Sequence, residues 1–424
     1  MRVVADLHIH SPYSRATSQE MDFRTLDEYA KIKGIDIIGT GDFTHPKRRE
    51  EIKTELCEAE GLYSLKEKGK KRFIVTGEVC TSSYWNGRNV RIHHLIILPS
   101  VEVAEQVSEE LGKKGDLKAD GRPMLMMSGA ELVDTVMSFD EDNMIVPAHI
   151  WTPWFSLFGD RGGVNRIEEC YEDQTPHIYS VETGLSSDPP MNWRVSELDR
   201  LTLISNSDSH SPAKVGREAN IFEVGRPTYK EIVDAIRFHK DKVATIEVEP
   251  AFGKYHWTGH RACGISVPPE EAVRMRGICP VCGKRMTKGV AERVEELADR
   301  APGVTPPGAQ QFFKVLPLME TIAVAMGRSP SCSQVEETYW KLLAEFGDEI
   351  SLLLFVPVEK IKEKYGVGIA EAIELNRMGK IEVTPGYDGV YGRPTGLQKG
   401  DGGAGAKERF FRRMSNLEDY IQGR

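Results

Sequence analysis

From Val3 to His210, one apolar run after another ends in a histidine, an aspartate or a glutamate. The runs are Val3–His10, Asp36–Asp42, Phe73–Glu78, Val90–Leu98 with His93 and His94 inside it, Met144–His149, Ile178–Glu182 and Leu201–His210. Each has the length and β-branched content of a strand. Helical patterns separate several of them: Arg24–Lys33 closed by Gly34, a charged stretch over 48–65, and Ser128–Phe139 opened by a capping box. A second capping box, Thr228 with Glu231, opens a helix running to about His239. Strands alternating with helices predict a parallel sheet, whose carboxyl ends meet on one face. A single buried histidine is usually a satisfied core residue. So many polar strand ends are costly to bury unless something binds them together.

A metal site meets that requirement. His8 and His10 are two apart on a strand and point to one face. Histidine with carboxylate and no cysteine favours zinc, manganese or iron, with magnesium also open at oxygen-rich positions. The candidates His8, His10, Asp42, His45, Glu78, His94, His149, Asp208 and His210 are too many for one ion. They suit two or three, bridged by Asp42, Glu78 or Asp208. Such a cluster fits phosphate-ester hydrolysis, since one ion lowers the pKa of a water to ~7 while others neutralise phosphoryl oxygens. No P-loop, dinucleotide fingerprint or Gly-x-Ser-x-Gly elbow competes with this reading. Asp208, His210 and Glu78 are the expected catalytic residues. Strand alternation lets only one of His93 and His94 face the site.

Asp6-Leu7-His8-Ile9-His10-Ser11, Gly41-Asp42, Gly77-Glu78, His93-His94, Ala148-His149 and Ser207-Asp208-Ser209-His210 resemble the successive motifs of the polymerase-and-histidinol-phosphatase (PHP) phosphoesterases. The resemblance implies an α/β fold, a distorted seven-stranded β/α (PHP) barrel over 1–250, holding a trinuclear metal centre. It assigns metal roles to His8, His10, Glu78, His94, His149, Asp208 and His210. The second motif departs from the family's Thr-Asp-His: the sequence is Gly41-Asp42-Phe43-Thr44-His45. Asp42 is the preferred ligand there, with His45 as an alternative.

A different cluster follows. His260-x-x-Cys263 and Cys279-x-x-Cys282 form a pair of zinc knuckles in an appended module over 251–295. The fourth ligand is His260 or His256, with His260 preferred for its tighter spacing. A closed four-ligand zinc site is structural. The stretch is basic, carrying Lys254, Arg261, Arg274, Arg276, Lys284, Arg285, Lys288 and Arg293, although the whole chain has a net charge of −9. Such a patch is either a solvated surface or a phosphate-contacting one. The seven cysteines are odd in number and dispersed, against a disulfide framework. With no signal-type start and no membrane-length apolar segment, the sequence predicts a cytoplasmic protein without a membrane partner.

Residues 296–392 form a small helical C-terminal domain expected to contact DNA, with helices near 315–326, 334–346 and 369–378. It ends in Pro385-Gly386-Tyr387-Asp388-Gly389-Val390-Tyr391-Gly392. A Gly-rich tail follows over 393–424. PHP motifs, knuckle, helical segment and this loop, in that order, resemble the endonuclease Q family over about residues 1–392. The resemblance implies a metal-dependent DNA endonuclease cutting 5′ to deaminated bases (hypoxanthine, uracil, xanthine) or abasic sites, leaving a 3′-hydroxyl and a 5′-phosphate. Examining a base requires taking it out of the stack. Trp151, Trp154, Glu182, Gly184, Ser186, Ser187, Tyr387 and Tyr391 are the expected substrate-binding residues. Met414–Ile421 resembles a sliding-clamp-binding box, which would make the clamp a second partner besides damaged DNA. The competing readings are a small-molecule phosphomonoesterase of the PHP type and a non-catalytic lesion-binding scaffold.

Overall fold

The first strands are apolar on both faces, and both faces are covered. Val3, Val4, Ala5, Ile37, Ile38, Ile74 and Val75 are all buried. In a computed structural model of the protein, which describes residues 1–397 except 68 and 70, they belong to one mixed sheet. Its strands are β1 (Arg2–Asp6), β2 (Ile37–Gly39), β3 (Leu56–Ala59), β4 (Leu62–Leu65), β5 (Arg72–Trp85), β6 (Arg88–Leu98), β7 (Met124–Leu125) and β8 (Met144–Pro147). β9 (Ser180–Glu182) and β10 (Thr202–Ile204) form a separate parallel pair, while β11 (Ala219–Glu223) and β12 (Val243–Glu247) return to the main sheet. The order is β12-β11-β1-β2-β5-β4-β3, with β6 between β5 and β8.

The sheet is not the parallel one predicted. β1, β2 and β5 are parallel neighbours, but β11 runs antiparallel to β1 and β6 antiparallel to both β5 and β8. Two short turns account for part of this. Asn86 and Gly87, both at positive φ (46° and 76°), join β5 to β6. Glu60 and Gly61 (58° and 75°) join β3 to β4, where the sequence predicted a helix continuing to 65. Two-residue loops with positive φ at both positions are hairpin turns, and a hairpin is antiparallel. A core under the sheet joins Leu7, Ile37, Ile74, Leu95, Ile97, Val146 and Phe222 to Ile232, Val233 and Ile236 of the helix Tyr229–Phe238. The capping box at Ser128 and Glu131 is complete. At the second one Thr228 caps, but the Glu231 carboxylate accepts from Gly225 N–H instead.

The chain divides into two compact units, Met1–Phe312 with Pro385–Gly392, and Phe313–Thr384 with the segment from Arg393. The smaller unit contains the helices Leu318–Met326, Ser333–Phe346, Glu349–Leu354 and Val358–Arg377, the last broken at Gly366 (φ 81°). It also carries the antiparallel pair Ile381–Thr384 and Arg393–Leu397. No helix among the described residues is long and apolar enough to cross a membrane. The clamp-box segment Met414–Ile421 lies outside the described residues.

Candidate metal centre

The long β5–β6 hairpin sets the centre. Its register places Cys80 opposite His93, Glu78 opposite Leu95, and Val79 opposite His94. Directly opposed residues share a face, and faces alternate along a strand. Glu78 and His93 therefore point one way and His94 the other. Glu78 is fully buried. Its Oε1 lies 2.7 Å from His93 Nδ1 and 3.0 Å from His149 Nε2. Its Oε2 lies 3.3 Å from His10 Nε2, 3.6 Å from His8 Nε2 and 3.2 Å from Arg122 Nη1. Asp208 Oδ1 completes the second side, 3.0 Å from His10 Nε2. One carboxylate thus stands between two ligand groups: His8, His10, Glu78 and Asp208, and Glu78, His93 and His149. In each group the ligand atoms all lie within 4.8 Å of one another.

Further carboxylates and hydroxyls turn the rings inward. His8 Nδ1 faces Glu182, at 3.0 and 3.1 Å from its two oxygens. Glu182 is itself fixed by His149 N–H and by Asn206 Nδ2, each donating at 2.8 Å. His10 Nδ1 faces Asp42 Oδ1 at 3.1 Å, and Asp42 Oδ2 accepts from Ser11 N and Oγ at 2.7 and 2.5 Å. His149 Nδ1 faces Thr152 Oγ1 at 3.0 Å. With Nδ1 engaged, each of these rings presents Nε2 to the centre, the usual device for orienting a metal-bound imidazole. The decisive atom is His8 Nε2, which is buried without a hydrogen-bond partner. An orphaned polar atom aimed at two carboxylates is what a cation would satisfy.

The charges agree. Burial works against protonation of His8 and His10, yet Glu182 and Glu78 at His8, and Asp42 and Asp208 at His10, outweigh it and hold both rings well above the usual histidine value. Burial likewise opposes ionisation of Glu78, but His93 and Arg122 hold its carboxyl well below the usual range. The pocket therefore favours positive charge at its middle. Burial pushes His93 down to about 4, against the upward pull of the Glu78 carboxylate.

The second cluster sits on the hairpin of β13 (Thr258–His260) and β14 (Ile265–Val267). His260, Cys263, Cys279 and Cys282 bring their ligand atoms within 4.8 Å of one another, and Cys282 Sγ lies 3.4 Å from His260 Nδ1. Gly264 and Gly283, at φ 66° and 70°, make the two tight turns. Burial raises the Cys279 thiol, but backbone N–H groups of Cys282 and Val281 overcome this and bring it down to about 6. The apolar core here is small: Val267, Ala272, Cys279 and Met286. The loop 385–392 straps this hairpin. Asp388 accepts from Thr287 Oγ1 at 2.7 Å and Arg261 N at 2.6 Å.

Comparison with known proteins places these features. A family model described as PHP-associated matches residues 193–240, and one described as the MJ0043 C-terminal domain matches 317–380. The uncharacterized protein YqxK of Bacillus subtilis is 30% identical over 409 residues, covering 92% of this chain and 99% of that protein. The uncharacterized protein MJ0043 of Methanocaldococcus jannaschii is 34% identical over 253 residues, which are 57% of this chain but only 31% of that protein. The crystal structure of the lesion-specific endonuclease PfuEndoQ from Pyrococcus furiosus superposes with a TM-score of 0.84 at 32% identity, covering 95% of this chain and 98% of that one. The chain belongs to the endonuclease Q family. A complex of endonuclease Q with a 27-mer duplex substrate, an abasic lesion at its active site, matches with a TM-score of 0.83 at 32% identity, over 94% of this chain and 98% of that one.

In this member of the endonuclease Q family the predicted site residues divide. His8, His10, Glu78, His149 and Asp208 come together, as do His260, Cys263, Cys279 and Cys282. His260, not His256, completes the knuckle set. His94 does not reach the centre. It lies between Thr81 Oγ1 (2.8 Å) and Tyr171 Oη (2.9 Å), and His93 takes its place because the hairpin register puts His93 on the face of Glu78. Asp42 holds His10 from behind and is outside both ligand groups. His45 stacks on Tyr13 at 4.4 Å and precedes the helix Pro46–Glu55, also away from the centre. His210 stands beside it, its ring 4.3 Å from that of His10, with Nδ1 on Asp208 O.

Among the expected substrate-binding residues, Trp151 is core. It is buried, packs on Phe158, and its Nε1–H donates to Asn192. Trp154 is exposed and meets the Tyr255 ring at 5.3 Å. Glu182 orients His8. Gly184, at φ 62°, packs so close to His149 that an added Cβ would meet that residue's Cβ at 2.6 Å. Ser186 is buried, and Ser187 is spent on Thr183 O and Asn192 Nδ2. Tyr387 packs on Gly259, while Tyr391 is exposed beneath Lys254 Nζ, 4.6 Å away. Sequence reading missed Arg122 and Asn206 altogether, since neither ends an apolar run. It weighed His93 and preferred His94. The Asn86-Gly87 hairpin signal, used to count register, would have corrected that choice.

Proposed function

We propose that the protein is a DNA-repair endonuclease that hydrolyses the phosphodiester 5′ to a deaminated base or abasic site, leaving a 3′-hydroxyl and a 5′-phosphate. The observation that carries this is the Glu78 carboxylate standing between two ligand groups in a buried, family-typical scaffold. The fold is read as the distorted PHP barrel, with the centre at the carboxyl ends of β1, β8 and β10. His8, His10, Glu78 and Asp208 would hold one divalent ion, and Glu78, His93 and His149 another, of zinc, manganese or magnesium. When bound, such ions supply activation of water and neutralisation of phosphoryl charge. Among this chain's own residues, Glu182, Asp42 and Thr152 fix the rings. His210, with Nδ1–H donated to Asp208 O, keeps Nε2 to move a proton at the mouth. His260, Cys263, Cys279 and Cys282 would hold a structural zinc. Exposed Trp154 and Tyr391, with the exposed cations Lys254, Arg261, Arg274, Arg276 and Lys284, are groups available to DNA. Arg293 is not one of them: its guanidinium donates to Phe158 O, Val164 O and Asn165 Oδ1.

The test is incubation with Mg²⁺, Mn²⁺ or Zn²⁺ and end-labelled duplexes bearing inosine, uracil or an abasic site. The expected result is a nick 5′ to the lesion and none in undamaged duplex. Binding without a nick, or phosphate release from a monoester alone, would sink the proposal.

A further inference from the structure

Arg122 is a cation at the mouth of a centre otherwise built of histidines and carboxylates. The ligands behind it are closed off: side chains of His8, His10 and Glu78 are 0% exposed. Arg122, Asp208 and His210 keep the most access, at 27%, 30% and 31%, against 9% for His93 and His149. They mark the open side of the centre.

The loop that carries Arg122 is pinned on both sides of it. Gly121 N donates to Tyr13 O at 3.0 Å, and Gly121 O accepts from Thr44 Oγ1 at 3.1 Å. Gly121 sits so tightly that an added Cβ would lie 2.4 Å from Asp42 Oδ2 and 2.5 Å from Ser14 Oγ. On the other side Pro123 O accepts from Cys80 N at 2.9 Å. The guanidinium is thus aimed by backbone anchors, and only Nη1 has a protein acceptor among the described residues, Glu78 Oε2 at 3.2 Å. Nε and Nη2 remain as donors on this partly exposed side chain. A planar fork with donors to spare is the group that recognises a phosphate in two-point fashion.

We infer that Arg122 binds a non-bridging oxygen of the scissile phosphodiester and is a catalytic residue of the nuclease. The inference rests on the endonuclease reading above. In hydrolysis, water attacks phosphorus, the P–O3′ bond breaks, one proton leaves the water and one reaches O3′. Arg122 takes no part in that proton balance. It supplies fixed positive charge where negative charge gathers on the phosphoryl oxygens. Its bond to Glu78 keeps the fork at the mouth before substrate arrives.

The experiment compares wild type, Arg122→Ala and Arg122→Lys, all loaded with Mn²⁺, on an abasic duplex carrying either a normal phosphate or a neutral methylphosphonate at the scissile position. Single-turnover nicking of the phosphate substrate should fall about 10²–10³-fold in Arg122→Ala, with partial recovery in Arg122→Lys. Bound metal should stay unchanged. The methylphosphonate penalty should be at least tenfold smaller in Arg122→Ala than in wild type, because the charge it removes has already lost its partner. Equal penalties in the two proteins, or loss of metal in Arg122→Ala, would overturn the inference and leave Arg122 a structural partner of Glu78. If wild type nicks no duplex, the endonuclease reading fails separately. The inference is then decided by calorimetric binding of inorganic phosphate to the Mn²⁺-loaded proteins, where at least tenfold weaker binding to Arg122→Ala supports it and equal affinity overturns it.

Discussion

The histidine–carboxylate centre and the Cys/His knuckle both gather donors from separated stretches of the chain, but they are held in different ways. In the centre, three of the four ligand rings are gripped from behind, His8 by Glu182, His10 by Asp42 and His149 by Thr152, while His93 stacks on Phe155. The donors are buried, and one side stays open past Asp208, His210 and Arg122. In the knuckle, the sulfurs are set by glycine turns and backbone N–H groups, with only a few apolar residues behind them. Four donors form a closed set with no position left over. Rigid ligands around an open face suit chemistry, whereas a closed set on a thin core suits a fold that depends on its ion.

The largest effect should come from exchanging the two regions' losses. Glu78→Gln is expected to abolish nicking while the knuckle keeps its zinc, since both ligand groups share that carboxylate. Cys279→Ser is expected to do the reverse, releasing knuckle zinc and weakening duplex binding while hydrolysis of a small diester such as bis(p-nitrophenyl) phosphate persists. Zinc analysis with the two substrates checks both, and loss of diester hydrolysis in Cys279→Ser would erase the distinction. A smaller effect belongs to the grip itself. Glu182→Gln keeps an acceptor for His8 Nδ1 but removes its charge, and should cost roughly 10–100-fold in metal affinity or activity. Metal titration reads it, and an unchanged affinity would mean that Glu182 serves packing alone.

The smallest effect concerns a carboxyl pair that no ion is expected to fill. Glu247 is buried and lies close to Glu218, on neighbouring antiparallel strands where Ala219 faces Ile246. Burial pushes the Glu247 carboxyl up to about 8, with the Asp188 charge adding to it. Burial, then the neighbouring Glu247 charge, raises Glu218 as well. A carboxyl raised in the folded state stabilises fully below its unfolded value near 4.5, and that contribution fades as pH climbs through about 8. Melting temperature should therefore drop between pH 5 and 9 in wild type and drop less in Glu247→Gln. Parallel curves would show that the pair carries no pH-dependent load.

How much of this was legible in the chain differs by residue. His8, His10, Glu78, His149 and Asp208 announced themselves because each closes or follows an apolar run, and strand ends gather on one side of a sheet. The knuckle was legible for a simpler reason: Cys279-Pro280-Val281-Cys282-Gly283 is a local turn that needs little from the rest of the fold. His93 was misjudged because its direction depends on the register of β5 against β6, which a two-residue turn sets and the run of apolar residues does not. Trp151 and Trp154 look alike in sequence. Only packing against Phe158 and Asn192 makes the first a core residue, while the second stays on the surface.

The sequence by itself determined which chemistry was available: imidazole and carboxylate at the ends of apolar runs, thiolates paired by short turns. These are local facts, fixed by residue type and spacing. Which side chains bind, which orient and which stand at the mouth was decided by tertiary structure. Glu182, Asp42 and Asp208 are all carboxylates at or just beyond strand ends. They differ only in whether they meet a ring at Nδ1 or at Nε2, and that depends on strands far apart in the chain being brought to one face.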